Sequence, residues 1–275
     1  MQRRVRFGVL CAALLTGAAS LGAGDGAAES PPLRDPRAMT FVAQALAALT
    51  GGATVRDITF QATATYIAGS DQESGTARLV ARGHQESRVV LSLDGGERKE
   101  VRQGIAGTWT GPDGQAHSVS LDNCWVDADW FFPALTLQAL GKDPTLGVVL
   151  VGQETKNGQG LVHLQFFHTP RDQSPKLAVR DQALSAVDFY LDAASYLPVA
   201  IDFSLHPDDN PVMEIAVEIQ LSDYRAVNGV QVPFHIQRYL KGSLVHDFVV
   251  SAVSINSGVP DSEFAIQAPL PGGGP

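Results

Sequence analysis

The chain has 275 residues, a formal net charge of −9 and 18% charged residues. An acidic balance of this kind argues against nucleic acid as a partner. Beyond residue 30 no run is long and apolar enough to span a bilayer as a helix.

Arg3, Arg4 and Arg6 precede an apolar run from Phe7 to Leu15, and small residues follow from Gly17 to Ala28. That order predicts a secretory signal peptide over residues 1–28, with cleavage after Ala19 or Ala28. Cys11 lies inside the apolar run and follows Leu10, where a lipoprotein signal would carry a small residue; it is expected to leave with the peptide. Cys124 is then the one thiol remaining, so no intramolecular disulfide is available. About 250 residues stay in the mature chain, enough for one large domain or two small ones.

Residues 29–36, ESPPLRDP, read as an extended linker because proline disfavours helix at the preceding residue. Met39, Val42, Leu46 and Leu49 then recur at helical spacing until Gly51-Gly52 ends the run. From Val55 the period changes to two. Ile58, Phe60, Ala62, Ala64 and Tyr66 share one face, and Thr59, Gln61, Thr63 and Thr65 share the other, as in an antiparallel strand with one wet side. Short alternating segments continue to residue 256. They are separated by DGG, PDG, KNGQ, AASYL and Lys241-Gly242, which are turn signals. No break in composition divides them, so residues 37–266 are expected to form one domain. The tail, residues 267–275, reads as disordered.

The stretch 122–140, DNCWVDADWFFPALTLQAL, stands apart. Asp129 offers an N-cap, Trp130 would start a helix, and Pro133 would fall in its first turn. Such a helix is apolar nearly all round, so it is buried on several sides or lies across a cavity filled by something apolar. The expected fold is therefore α+β: a strongly curved antiparallel sheet, a half-barrel, with a few helices over its concave face.

Catalytic and metal signatures are missing. There is no G-x-S-x-G, H-E-x-x-H, C-x-x-C or phosphate-binding glycine loop, and the mature part holds no S-x-x-K. His163 and His168 stand five apart on one strand and face opposite sides. HPDDNP at 206–211 reads as a solvated turn. Asp122, Asp127 and Asp129 lack the spacing and turn glycine of a calcium loop. No enzyme, metal or cofactor is expected from these residues.

Three segments carry a resemblance: the strand TVRDITFQATATY after the first helix, the pair FYLDAASYLPVAIDF, and the closing LSDYRAVNGVQVPFHIQRYLKGSLVHDFVVSAVSINSGVPDSEF. In this order the chain resembles the outer-membrane lipoprotein carrier family, with its LolA/LolB-like fold. The resemblance implies an open half-barrel that holds acyl chains of a lipid or lipoprotein between sheet and helices; with the leader and the missing catalytic motifs, the expected protein is a periplasmic or secreted binding protein without catalysis, with a membrane protein as a candidate further partner. The resemblance transfers no cavity arginine, since Arg78 and Arg82 match no motif. From the apolar faces, the expected cavity lining is Phe60, Tyr66, Trp130, Phe131 and Leu135. The competing expectation is an exported interaction or sensor module with a filled core. A hydrolase would need His206, Asp208 or Cys124 to converge in a cleft.

Overall fold

The first helix, α1 (Pro36–Thr50), is bounded as its sequence dictates. The Asp35 carboxylate accepts the Arg37 N–H at 2.8 Å, and Pro36 occupies a first-turn position that needs no donor. At the other end Gly51 adopts a left-handed conformation (φ 57°) and donates its N–H to the Ala47 carbonyl. The buried stripe is Ala38, Val42, Ala45 and Leu49, with Met39 and Leu46 on its margins. Two alanines in the stripe, Ala38 and Ala45, let the helix lie close against its neighbours. The computed structural model describes residues 34–266 apart from 157, 170–173, 208–209 and 211. The expected signal peptide (1–28), most of the expected linker (29–36) and the tail (267–275) lie outside the described residues.

One 13-stranded antiparallel sheet forms the body of the protein and does not close into a barrel. Six strands form a meander: β1 (Asp57–Ala68), β2 (Asp71–Arg82), β3 (Glu86–Leu93), β4 (Gly96–Gln103), β5 (Ala106–Thr110) and β6 (Ala116–Ser118). Seven more form a second: β7 (Leu146–Lys156), β8 (Gln159–His168), β9 (Val187–Asp192), β10 (Pro198–Leu205), β11 (Ile215–Val227), β12 (Val230–Leu240) and β13 (Ser243–Ile255). The first and last strands join the two halves, with Phe60 opposite Val253 and Tyr66 opposite His246, across a bulge between Gln61 and Ala62. The order from edge to edge is β6-β5-β4-β3-β2-β1-β13-β12-β11-β10-β9-β8-β7.

That order has a topological consequence. β6 and β7 are consecutive in sequence yet occupy opposite edges, so residues 119–145 must cross from one edge to the other. They do so through the core. Phe131, Phe132, Ala134, Leu135, Leu137 and Leu140 all join the same buried cluster as α1 and the inner faces of the strands. The all-round apolar character of this stretch follows from its path: it has neighbours on nearly every side.

The crossing segment differs from its sequence expectation in one respect. The helix α2 covers only Ala134–Ala139, and Trp130 to Phe132 form the turn before it. Asp129 is not its N-cap. The Asp129 carboxylate, 1% exposed, accepts the Thr136 N–H at 2.9 Å and lies 2.7 Å from the Thr136 hydroxyl, tying the turn to the middle of the helix. Phe132 also precedes a proline, which disfavours helical geometry at that residue.

A third helix, α3 (Pro175–Leu184), follows β8 and was not legible. It buries almost no apolar surface: Leu177 and Val179 are exposed, while Asp181 and Ser185 are buried. The Ser185 hydroxyl holds its end by donating to the Asp181 carbonyl at 2.6 Å and accepting the His168 N–H at 2.8 Å. A helix held by polar contacts has no hydrophobic period to read.

The outer face of β2 is covered by the C-terminal 3-10 turn Asp261–Phe264. Phe264 and Val259 pack on Val80, and Arg82 lies 4.9 Å from the Phe264 ring. Arg78 bonds Glu263 at 2.9 Å, and Arg82 bonds Glu86 and Asp261 at 2.6 and 2.7 Å. Both arginines thus serve the outer face of the sheet, away from the concave side.

Candidate functional site

On the concave face a cavity of about 430 Å³ opens beside Trp130, which is within the usual size of small-ligand sites. Its walls come from both halves of the sheet: Val89 and Leu91 on β3, Trp109 on β5, Tyr66 on β1, and His246 and Phe248 on β13. A second, smaller hollow of about 190 Å³ continues past Trp109 and Trp130 toward Phe203 and Leu205 on β10. Residues of β4 and β5 line the same space as residues of β10 and β12, although four or more strands separate them in the sheet. Only strong curvature brings them together.

Trp130 is the centre of an aromatic cluster. Its ring meets Phe131 edge-on at 5.2 Å and lies 6.4 Å from Phe248. Phe131 and Phe132 in turn pack edge-on against Phe60, at 5.8 and 6.1 Å. Of the five residues expected to line a cavity, Tyr66 and Trp130 do so. Phe60, Phe131 and Leu135 lie one layer deeper, enclosed in the core behind Trp130.

The cavity is not purely apolar. Arg238 on β12 places its guanidinium 5.2 Å from the Trp130 ring. Its Nε is fully enclosed and has no hydrogen-bond partner, and among the described residues no carboxylate forms an ion pair with it. Burial pulls the Arg238 side chain below the usual arginine range, with the Glu100 charge opposing that shift. Arginine stays cationic at neutral pH nonetheless. His246 beside it is pushed down to about 3 by burial, with the charges of Arg238 and Arg98 adding to the effect. Its imidazole is therefore neutral, stacked on Phe248 at 5.5 Å, with an enclosed Nδ1 that has no partner. Arg98 differs from Arg238: it is clamped by Glu73 at 2.6 and 2.9 Å and lies 4.7 Å from the Tyr66 ring. The cavity has aromatic walls, the half-buried Arg238 cation with its enclosed Nε, one neutral imidazole and the Glu100 carboxylate, and it can hold an apolar ligand that carries an acceptor or an anion.

Sequence reasoning passed over Arg238, His246, Phe248, Arg98 and Trp109. A signal was present for the first two. On β12 the residues Val230, Val232, Ile236, Arg238 and Leu240 share one parity, and on β13 His246 shares parity with Phe248 and Val250. A charge or imidazole on the apolar parity of a strand marks a polar group facing inward. Trp109 comes from β5, a strand of five residues next to the edge strand and too short for its facing to be read.

The remaining chemistry lies elsewhere. His206 accepts no catalytic partner from Cys124; its N–H donates to Asn123 at 2.7 Å, and Asp208 lies outside the described residues. Cys124 is buried, and burial pushes its thiol up. His163 bonds Asp188 at 2.7 Å while His168, facing the other way, bonds Asp127 at 3.1 Å. His84, Asp127 and His168 bring three donor atoms within 4.8 Å of one another and are the group able to hold a metal among the described residues.

An open antiparallel sheet, crossed on its concave side by a helical segment over an aromatic cavity, is a fold that the chain shares with two solved structures. One is a LolA superfamily protein from Nitrosomonas europaea, 14% identical, with a TM-score of 0.53 over 83% of this chain and 97% of that one. The other is a domain from Vibrio parahaemolyticus named for outer membrane lipoprotein sorting, 11% identical, with a TM-score of 0.51 over 83% of this chain and 96% of that one. At such identities the likeness establishes the fold. No family model matches the chain, and no curated protein matches it.

Proposed function

We propose that the protein is an exported, non-catalytic binding protein that carries an acyl-bearing ligand, a lipid or the lipid-modified end of a protein. The acyl chain lies against Tyr66, Val89, Leu91, Trp109, Trp130 and Phe248, and an anionic group lies against Arg238. Phe60, Phe131 and Leu135 back Trp130 and keep its ring in place. One observation carries the proposal: a half-buried guanidinium whose Nε is enclosed and unbonded and which forms no ion pair among the described residues, set against an aromatic ring. An unpaired buried charge costs several kcal/mol, and a bound anion offsets that cost. Each buried methylene of the ligand adds about 0.8 kcal/mol. Export rests on the leader at residues 1–28, and release or loading by a membrane protein follows from carriage of such a ligand between membranes.

The test is displacement of a fluorescent fatty acid from the purified chain. A long-chain fatty acid should displace it at lower concentration than the alcohol of equal chain length. Failure of both to displace, or to bind at all, removes the proposal. Export is read separately: the intact mass of the secreted or periplasmic protein should begin after Ala19 or Ala28.

A further inference from the structure

A second site, formed by residues other than those assigned to the ligand, is built where four separate parts of the chain meet. His84 comes from the turn between β2 and β3, Asp127 from the crossing segment, Asp143 from the turn after α2, and His168 from the end of β8. The His168 Nε2 lies 3.1 Å from an Asp127 oxygen, and the His84 Nε2 lies 3.2 Å from an Asp143 oxygen. The two imidazoles are nearly parallel, 6.0 Å apart.

The partners behind these four side chains are arranged as around a ligand set. The Thr145 hydroxyl donates to Asp143 at 2.7 Å, so its oxygen faces the His168 Nδ1 at 3.4 Å as an acceptor. That contact lets Nδ1 keep its proton, so Nε2, which donates to the Asp127 oxygen in the metal-free protein, is the nitrogen that gives up its proton to a bound metal. The second Asp127 oxygen lies 3.0 Å from the Thr136 hydroxyl, which also lies 2.7 Å from Asp129. The carbonyl of His84 accepts the Ala128 N–H at 2.9 Å, which fixes the turn against the crossing segment. Hollows on both sides reach the cluster: one is lined by Asp127, Thr145 and His168, the other by His84 and Asp143.

We propose that His84, Asp127 and His168, with Asp143 as a fourth donor, bind a divalent transition-metal ion of the zinc type. Two imidazoles with carboxylates select such an ion over calcium or magnesium, which take oxygen ligands. Bonds of about 2.0–2.1 Å place tetrahedral donors about 3.3 Å apart. The three donors now spread over as much as 4.8 Å, so binding draws them together by up to about 1.5 Å. The ion joins the crossing segment, which carries Trp130 three residues beyond Asp127, to the β2–β3 turn and to β8. Metal loading thus fixes the element that covers the cavity.

The experiment uses tag-free chain treated with a chelator and dialysed, then titrated with zinc chloride in a calorimeter, with magnesium chloride as the control. Saturable binding of one zinc ion per chain, with magnesium silent, is expected. The same titration with cobalt should give the visible bands of a four-coordinate ion. H84A and H168Q should each weaken zinc binding at least about tenfold while keeping the native circular dichroism spectrum. Should H168Q fail to fold, H84A and D143N, at less buried positions, decide the matter. No saturable zinc binding by the parent chain, or equal binding by folded H84A and D143N, overturns the proposal.

Discussion

Replacing Arg238 with methionine should move stability and binding in opposite directions. In the ligand-free protein the guanidinium is a half-buried cation that forms no ion pair among the described residues, and its Nε is enclosed and unbonded. Exchange of such a charge for an apolar side chain of similar length is neutral or stabilising by about 1–4 kcal/mol. Against that stands its contact with Trp130 at 5.2 Å, worth about 1–2 kcal/mol when desolvated. The net expectation is a urea midpoint no lower than that of the parent, and higher if desolvation dominates. Binding responds differently. A hydrogen bond from a charged donor contributes about 2 kcal/mol, so the variant should bind a long-chain fatty acid roughly thirtyfold more weakly. The alcohol of equal chain length should bind both proteins alike. Urea denaturation and fluorescent-ligand displacement on the same two proteins provide the assay. Equal affinity of parent and R238M for the fatty acid refutes the reasoning. So does a large loss of stability, which would mean that the cation has an internal partner.

Three further outcomes follow from the packing. Trp130→Ala should weaken fatty-acid binding by more than it lowers stability, because one side of the ring faces the cavity; equal losses in displacement and urea assays would make Trp130 a core residue only. Phe131→Ala, at a fully enclosed position, should cost about 3–5 kcal/mol of stability, and a loss under about 1 kcal/mol in urea denaturation would contradict the core assignment. Asp202 is pushed up to about 6 by burial, with the Glu218 charge adding to it, from an ordinary value of 3.8. The folded state therefore takes up this proton before the unfolded chain does. Relative to Asp202→Asn, the parent should gain stability as pH falls from 7 through 6 toward 4, and a parallel pair of pH–stability curves would refute it.

The strands were legible because their alternation is imposed by burial on one side. Ile58, Phe60, Ala62 and Ala64 are buried, while Gln61 and Thr63 are exposed. The crossing segment was legible for a related reason: an element with neighbours on nearly every side has no polar stripe. Its helix boundaries were not, since the carboxylate of Asp129 finds its partner at Thr136 through the tertiary fold. Helix α3 left no trace, as its anchors are a serine hydroxyl and a buried aspartate.

Two of the five residues expected to line a cavity do so. Tyr66 and Trp130 stand on apolar faces and line the cavity, but an apolar face alone does not say which large side chains bound a void and which fill the core. Phe60 and Tyr66 share one face of β1, yet only the second reaches the cavity. Arg238 and His246 could have been found as polar residues at apolar parity. The meeting of His84 with His168 depends on two turns and a crossover, which no local spacing encodes.

Native mass spectrometry of the chain purified without detergent, with lipid extraction of the same sample, tests the central claim most directly. Bound acyl lipid, present in the parent and reduced in R238M, is the expected result. An apoprotein free of lipid that also leaves a fluorescent fatty acid in solution would contradict the account.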